Sequence, residues 1–190
     1  MLERLFAADG ALARAHPAYR ERPAQLALAQ GVEHALASGG TLVCEAGTGT
    51  GKSLGYLVPA ALSGRRVIVS TATLALQSQL LHDDLPLAAA ARGKPIRAEL
   101  LKGRSNYACR RMVVQLGMRL FDPEHADAIA RLRPWLDTTT RGDRAELDHV
   151  PHPAAWSEVA VGPERCLGAR CAYSAGMGAS RTVDPSSPSK

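Results

Sequence analysis

The chain has 190 residues, 46% of them hydrophobic, which is enough apolar sequence for one substantial core and argues against disorder over most of its length. The formal net charge is +5, and 19 of the 23 basic residues are arginine, which suits phosphate contacts without by itself identifying a nucleic-acid-binding protein. The N-terminal segment carries Glu3, Arg4 and Asp9, and no apolar run reaches roughly 18 residues. We therefore expect a cytoplasmic protein without a signal peptide or membrane contact.

The spacing of apolar residues predicts alternating helices and strands along the chain. The predicted helices span 2–15, 24–37, 53–62, 74–81, 109–120 and 124–136. The predicted strands span 42–44, 66–70 and 97–101. Pro59 is expected to kink or end its helix. The β-α-β-α order predicts an α/β fold with a parallel sheet, and an irregular region follows from residue 137.

A glycine-rich loop follows the first predicted strand, where residues 41–57 read TLVCEAGTGTGKSLGYL. Its glycines allow backbone conformations closed to other residues, so that successive N–H groups converge on phosphate oxygens at a helix N-terminus. Lys52 is placed to reach the β- and γ-phosphates, and the Ser53 hydroxyl to ligate Mg²⁺. The pattern predicts a P-loop that binds ATP with Mg²⁺. The predicted binding residues are Ala46, Gly47, Thr48, Gly49, Thr50, Gly51, Lys52 and Ser53.

The order of four motifs resembles the iron–sulfur superfamily 2 DNA helicases of the DinG and XPD type, and among them the bacterial DinG and YoaA group. The motifs are AYRERPAQ at 18–25, EAGTGTGKS at 45–53, STATLALQSQL at 70–80 and LLKGRSNYAC at 100–109. These helicases have alanine where the general P-loop pattern has glycine, as this chain does at Ala46. The resemblance covers about residues 1–175. It implies an ATP-dependent DNA helicase with a RecA-like P-loop motor domain, interrupted by a partial, mainly helical iron–sulfur domain.

The resemblance also implies roles for individual residues outside the P-loop. It assigns Gln25 and Arg22 to adenine recognition, and the amide of Gln25 offers both a donor and an acceptor to the base. A surface helix start is the alternative explanation of Gln25. The partner that the resemblance implies is single-stranded or forked DNA, with contacts at Thr71, Thr73, Gln77, Arg104 and Tyr107. A helix cap with an exposed helix face explains the threonines as well, and a solvated basic turn explains Lys102, Arg104, Arg110 and Arg111.

Three cysteines match the helicase family in order. Cys109, Cys166 and Cys171 correspond to cysteines that hold a 4Fe-4S cluster in the family, which normally uses four thiolates. The place of the fourth falls near Met177, whose thioether is a poor substitute for a thiolate. The chain therefore binds an incomplete cluster, recruits an outside ligand, or binds none.

Zinc is the rival metal, because His149 and His152 would complete a tetrahedral site with the cysteines. Cys44 lies in the strand before the P-loop and is expected to be a small core residue.

The predicted organisation is a motor segment over 1–108, a partial cluster domain over 109–175 and a disordered tail over 176–190. The tail is a natural C-terminus, the product of a frameshift or an artefact. The chain contains no Asp-Glu dipeptide for a Walker B pair and has no room for a second motor domain. We therefore expect the N-terminal portion of a helicase, inactive in turnover by itself. The alternatives are a non-catalytic nucleotide- or DNA-binding fragment and a small P-loop NTPase or phosphotransferase, which would need its own lid and carboxylate.

Overall fold

The computed structural model describes residues 1–116, 123–173 and 181–183, with side chains described for 1–116 and 126–173. These residues form two compact units. The first contains Met1–Leu100 and the strand at 181–183, and the second begins at Leu101. The predicted boundary after residue 108 therefore falls inside the second unit. No helix in the described part of the chain is both long enough and apolar enough to cross a membrane.

The first unit is a helical assembly around the helix that follows the P-loop. Its helices are α1 (Leu2–Phe6), α2 (Ala11–Ala15), α3 (Pro23–Ser38), α4 (Lys52–Leu62), α5 (Leu74–Gln79) and α6 (Leu85–Arg92), with a π-helical turn at Leu80–Asp84. Helix α4 packs against α3 and α6, and Val58 of α4 and Ala88 of α6 are fully buried. Pro59 does not end α4, because the buried face of that helix is held by tertiary packing.

The predicted parallel sheet is not formed among the described residues, which are mostly helical. Residues 41–45 and 66–70 belong to neither helix nor strand, and Val43 and Ile68 are 91% and 89% exposed. A strand needs neighbours for its N–H and C=O groups, and the described residues supply none to these two segments. Local sequence preference alone does not form a sheet.

The third predicted strand exists in a different pairing from the one expected. Strand β1 (Ile96–Ala98) pairs antiparallel with β2 (Arg181–Val183), and Ile96 stands opposite Val183. Strand β2 lies inside the predicted disordered tail, so that prediction is wrong for these three residues. The tail was predicted to be disordered because its small and polar residues contribute little to a core. A β-ladder is held by backbone hydrogen bonds, which require no apolar side chains. The rest of the predicted tail, at 176–180 and 184–190, lies outside the described residues.

The second unit packs three helices around a pair of tryptophans. The helices are α7 (Arg110–Leu116), α8 (Pro123–Thr138) and α9 (Pro153–Val159). The Trp156 indole N–H donates to the Ser105 carbonyl at 2.7 Å, and its ring lies 6.0 Å from that of Trp135. The Arg144 guanidinium lies 5.5 Å from the centre of the Trp156 ring. Helix α9 lies in the region predicted to be irregular. It was not predicted because its seven residues are too few to show helical periodicity.

Helices α3 and α4 approach closely at Gly55. A Cβ at this position would lie 2.8 Å from Leu28 Cδ2 on α3. We expect Gly55→Val to destabilise the first unit by about 2 kcal/mol, because the added side chain overpacks this contact. Urea unfolding followed by circular dichroism measures the loss. Ala27→Val, at an exposed position of α3, is the control and should cost less than about 0.5 kcal/mol. Equal losses in the two variants would contradict the packing argument.

Candidate nucleotide-binding site

The backbone of the glycine-rich loop turns directly into α4. Gly49 and Gly51 adopt left-handed conformations with φ of 75° and 77°, which other residues rarely tolerate. Gly51 is the N-cap residue of α4, and no side chain among the described residues caps this helix. The first-turn N–H groups of an uncapped helix, together with the helix dipole, favour an anion at this end. The predicted helix start at Ser53 is confirmed to within one residue.

The Lys52 side chain folds back over the loop. Its ammonium donates to the carbonyl oxygens of Ala46, at 2.8 Å, and Gly47, at 2.7 Å. The Thr50 hydroxyl donates to the same Gly47 carbonyl at 2.9 Å, which closes the turn that includes Thr48. The structure therefore brings the predicted P-loop residues together around an exposed ammonium group.

A carboxylate that the sequence analysis missed lies beside Ser53. Burial raises the pKa of Asp84, and hydrogen bonds from Ser53 and Gln79 oppose that shift. The Gln79 amide donates to Asp84 Oδ2 at 3.1 Å. Burial also raises the pKa of Tyr56, which shares a hydrogen bond with Ser53. A hydroxyl and a carboxylate are hard oxygen ligands of the kind that Mg²⁺ prefers, so these residues fit the metal that a P-loop uses.

The signal for Asp84 was present in the sequence. It is the second residue of an Asp83-Asp84 pair at the end of the π-helical turn, directly before α6. The sequence-based expectation of a magnesium-binding carboxylate was an Asp-Glu pair at a strand end. A carboxylate that a helix brings back to the P-loop does not follow from that pattern.

The surface-helix-start alternative does not describe Gln25. It is only 2% exposed, and its amide nitrogen donates to the Gly51 carbonyl at 2.8 Å. The Tyr19 hydroxyl lies 3.3 Å from Gln25 Oε1 and donates to the Phe6 carbonyl at 2.8 Å. The side chain is therefore turned inward against the P-loop and away from solvent. Arg22, the other residue assigned to adenine, is half-buried at the N-cap position of α3.

The threonines predicted to contact DNA have local structural roles. The Thr73 hydroxyl accepts from the Leu76 N–H at 3.2 Å and so caps α5. The Thr71 hydroxyl donates to the Thr73 carbonyl at 3.2 Å. Gln77 is half-buried on α5. The helix-cap alternative therefore describes Thr73 in this structure.

The basic segment before Cys109 is partly interior to the second unit. The Lys102 ammonium contacts both carboxylate oxygens of Asp143, at 2.8 and 2.7 Å, and the Lys102 side chain is 9% exposed. The Tyr107 hydroxyl accepts from the Lys102 backbone N–H at 3.0 Å. Lys102 is therefore an internal ion-pair partner, so the alternative of a solvated basic turn does not describe this residue. Arg104 and Arg110 are exposed.

The elements that carry Cys109 and Cys166 are joined by hydrogen bonds. The Cys109 N–H donates to the Val159 carbonyl at 2.7 Å, and the Arg111 guanidinium donates to the Arg165 carbonyl at 2.8 Å. The Gly168 N–H lies 3.4 Å from Cys166 Sγ and donates to it. Cys109, Cys166 and Cys171 are free, half-buried thiols.

The donor set does not complete a metal site. Within the described ranges, no three histidine, cysteine or acidic side chains are gathered closely enough to share a metal ion. Met177, at the predicted fourth position, lies outside those ranges. A cubane cluster takes four thiolates, so the three cysteines fall one short. The His149 imidazole contacts Asp148 at 2.7 Å, and this hydrogen bond lowers the Asp148 pKa. Cys44 is exposed, because residues 41–45 lack the sheet that would have buried it.

Comparison with curated proteins finds helicases among the relatives. The chain is 39% identical over 169 residues to the ATP-dependent DNA helicase YoaA of Escherichia coli, covering 87% of this chain and 27% of that protein. It is 41% identical over 177 residues to the ATP-dependent helicase DinG of Mycobacterium tuberculosis, covering 80% and 26%. It is 37% identical over 147 residues to the 3'-5' exonuclease DinG of Bacillus subtilis, covering 74% and 16%. No family model matches the chain.

The chain thus spans about a quarter of the length of the first two relatives. The matched regions nevertheless take up most of the chain itself. Together with the loop geometry at Gly51 and Lys52, this similarity confirms the family that the order of motifs predicted. The chain belongs to the DinG and YoaA family of helicases.

Proposed function

We propose that the chain is the nucleotide-binding segment of an ATP-dependent DNA helicase that acts on single-stranded or forked DNA in the cytoplasm. The observation that carries the proposal is the start of α4, where Gly51, Lys52 and Ser53 present an uncapped helix N-terminus and an ammonium group on one loop. This is the arrangement that P-loops use for phosphates. Relatives named ATP-dependent helicases support the same activity.

Different residues of this chain would bind the phosphates, the Mg²⁺ ion and the adenine of the nucleotide. The first-turn amides of α4 and the Lys52 ammonium would bind the β- and γ-phosphates, so Lys52 would exchange its carbonyl partners for phosphate oxygens. The Ser53 hydroxyl and the Asp84 carboxylate would hold Mg²⁺, which neutralises phosphate charge when bound. Gln25 and Arg22 stay assigned to the adenine side of the site. Thr71, Thr73, Gln77, Arg104 and Tyr107 stay assigned to DNA.

We propose ATP hydrolysis only for a protein of the relatives' full length. Hydrolysis by such motors also uses a group that orients water and arginines that stabilise the transferred phosphoryl group. The family places these outside the segment matched here, so the chain by itself is proposed to bind nucleotide without appreciable hydrolysis. Cys109, Cys166 and Cys171 would hold a cluster only with a fourth ligand from outside this chain.

The proposal includes a RecA-like parallel sheet. Residues 41–45 and 66–70 would be parallel strands that pair with segments beyond the described residues. Two observations support this. Val43 and Ile68 are almost fully exposed, whereas apolar residues of parallel strands are normally covered on both faces. Each segment also leads into a functional motif, the P-loop and the Thr71–Thr73 turn, where open α/β sheets bind their ligands.

Calorimetric titration of the chain with MgATP tests the proposal, combined with an ATPase assay with and without single-stranded DNA. We expect saturable nucleotide binding and negligible turnover by the chain, and DNA-stimulated turnover by a protein of the relatives' full length. Phosphate transfer by the chain without DNA would instead indicate a phosphotransferase. Absence of binding by demonstrably folded material would leave only a non-catalytic fragment and would overturn the proposal.

A further inference from the structure

We propose that Gln79 is a positioning residue of the candidate Mg²⁺ site: its side-chain amide, at the start of the π-helical turn, holds the Asp84 carboxylate beside Ser53. This inference deepens the proposed nucleotide binding and rests on it, because Ser53 and Asp84 are the residues proposed to hold the ion. Gln79 acts through Asp84 and does not itself bind the metal. Mg²⁺ usually takes only one or two carboxylates together with waters and phosphates, so ligands from a longer protein can join these residues.

The π-helical turn determines which residues of this segment lie together. At its end the Leu85 N–H donates to the Leu80 carbonyl, five positions back. In an α-helix, residues five apart point about 140° away from each other, because each residue advances by about 100°. The hydrogen bonds of a π-helical turn span five residues, so residues five apart then share a face. Gln79 and Asp84 are five apart, and the Gln79 amide nitrogen lies 3.1 Å from Asp84 Oδ2.

Apolar burial fixes the turn against α4. Leu80, the first residue of the turn, is buried in the same cluster as Leu57 and Val58 of α4, and the two elements are in direct contact. Asp84, the last residue of the turn, is half-buried, whereas the neighbouring Asp83 is exposed. The packing therefore turns Asp84 toward α4 and Asp83 toward solvent.

Asp84 meets Ser53 in the first turn of α4. The Ser53 hydroxyl shares hydrogen bonds with the Asp84 carboxylate and with the Tyr56 hydroxyl. A carboxylate that accepts from both Gln79 and Ser53 has fewer orientations than one held by Ser53 alone. Hydrogen bonds of this kind orient the oxygens that bind a metal, and metal affinity falls when they are removed. Loss of the Gln79 amide should therefore weaken the metal side of the site.

A positioning role at the metal predicts a loss that depends on Mg²⁺. The amides of α4 and the Lys52 ammonium meet phosphates whether or not the ion is present. Ser53 and Asp84 help only when Mg²⁺ accompanies the nucleotide, and without the ion the Asp84 charge repels the phosphates. A variant that disturbs Asp84 should therefore bind MgATP more weakly without losing affinity for metal-free ATP. Damage to the whole loop would instead lower both affinities.

The test compares Gln79→Leu with Gln30→Leu, each titrated calorimetrically with ATP, once with Mg²⁺ and once with EDTA. Gln30 is an exposed glutamine of α3, whose amide lies 3.5 Å from a Glu3 carboxylate oxygen. Gln79→Leu is expected to weaken MgATP binding by about threefold, the worth of one exposed hydrogen bond, and to leave metal-free ATP unchanged. Gln30→Leu should change neither. A loss of equal size with and without Mg²⁺ would overturn the proposal, as would no loss with Mg²⁺.

The two neighbouring aspartates provide a charge-matched comparison. Asp84→Ala should weaken MgATP binding by about tenfold, because the carboxylate is removed, and should not weaken metal-free ATP. Asp83→Ala removes the same charge from the exposed neighbour and should change either affinity by less than about twofold. Equal losses in the two variants would overturn the proposal, because net charge alone would explain them. If Asp84→Ala does not fold, Gln79→Leu decides, because Gln79 is exposed and its replacement should hardly change the melting temperature.

Side-chain amide exchange separates this inference from the proposed function. Without any ligand, Asp84→Ala is expected to raise the exchange rate of the Gln79 side-chain amide protons, measured by NMR, by about threefold relative to Asp83→Ala. If the native chain binds no MgATP but this rise occurs, the proposed function fails and the positioning of Asp84 by Gln79 stands. An unchanged exchange rate would overturn the positioning role.

Discussion

Replacing Lys52 with alanine is expected to weaken MgATP binding by about a hundredfold, because hydrogen bonds between a charged donor and phosphate are the strongest that this site offers. In the free chain the ammonium is held by the Ala46 and Gly47 carbonyls. Both contacts lie on an exposed loop, so their loss should hardly change the free energy of unfolding. Calorimetric titration measures the affinity, and a thermal melt measures the stability.

Lys94→Ala is the matched control for this prediction. Lys94 is an exposed lysine of the same unit, outside every contact described for the P-loop. Its removal changes the net charge by the same amount, so a weaker affinity in this variant would reveal a long-range charge effect. Unchanged affinity in Lys52→Ala would remove the assignment of residues 46–53 to phosphate binding.

The second unit should lose about 3 kcal/mol of stability when Asp143 is replaced by alanine, because the Lys102 charge is then left buried without a partner. The two side chains are 9% and 14% exposed, and the carboxylate also accepts from the Ala145 N–H at 3.0 Å. The pair anchors the segment before Cys109 to Gly142, whose carbonyl accepts from the Ala108 N–H at 2.7 Å. Urea unfolding followed by tryptophan fluorescence reports this unit alone, because both tryptophans of the chain lie in it.

Two further variants define the origin of that loss. Arg141→Ala breaks the more exposed ion pair with Glu146, joined at 2.8 Å, and should cost less than about 1 kcal/mol. The double replacement Lys102→Met with Asp143→Leu removes both charges and should recover most of the stability lost in Asp143→Ala. A double variant as unstable as the single one would show that packing around Asp143, and not the unpaired charge, is responsible.

The P-loop and most helices were predictable because their signals are local. Glycines at 49 and 51 allow the turn, and the residues that follow Gly51 start a helix within one position of the prediction. Periodic apolar residues located α3 and α8 within about two residues at each end, because a helix satisfies its hydrogen bonds within one segment. Family membership likewise followed from the order of motifs along the chain.

The contacts that define the candidate site required the folded chain. Gln25 turns inward to a carbonyl 26 positions away, and Lys102 pairs with a carboxylate 41 positions away. Asp84 reaches Ser53 because α4 and the π-helical turn before α6 pack together. The first two predicted strands are unpaired in the described residues for the same reason, since a strand, unlike a helix, depends on partners that its own segment does not contain.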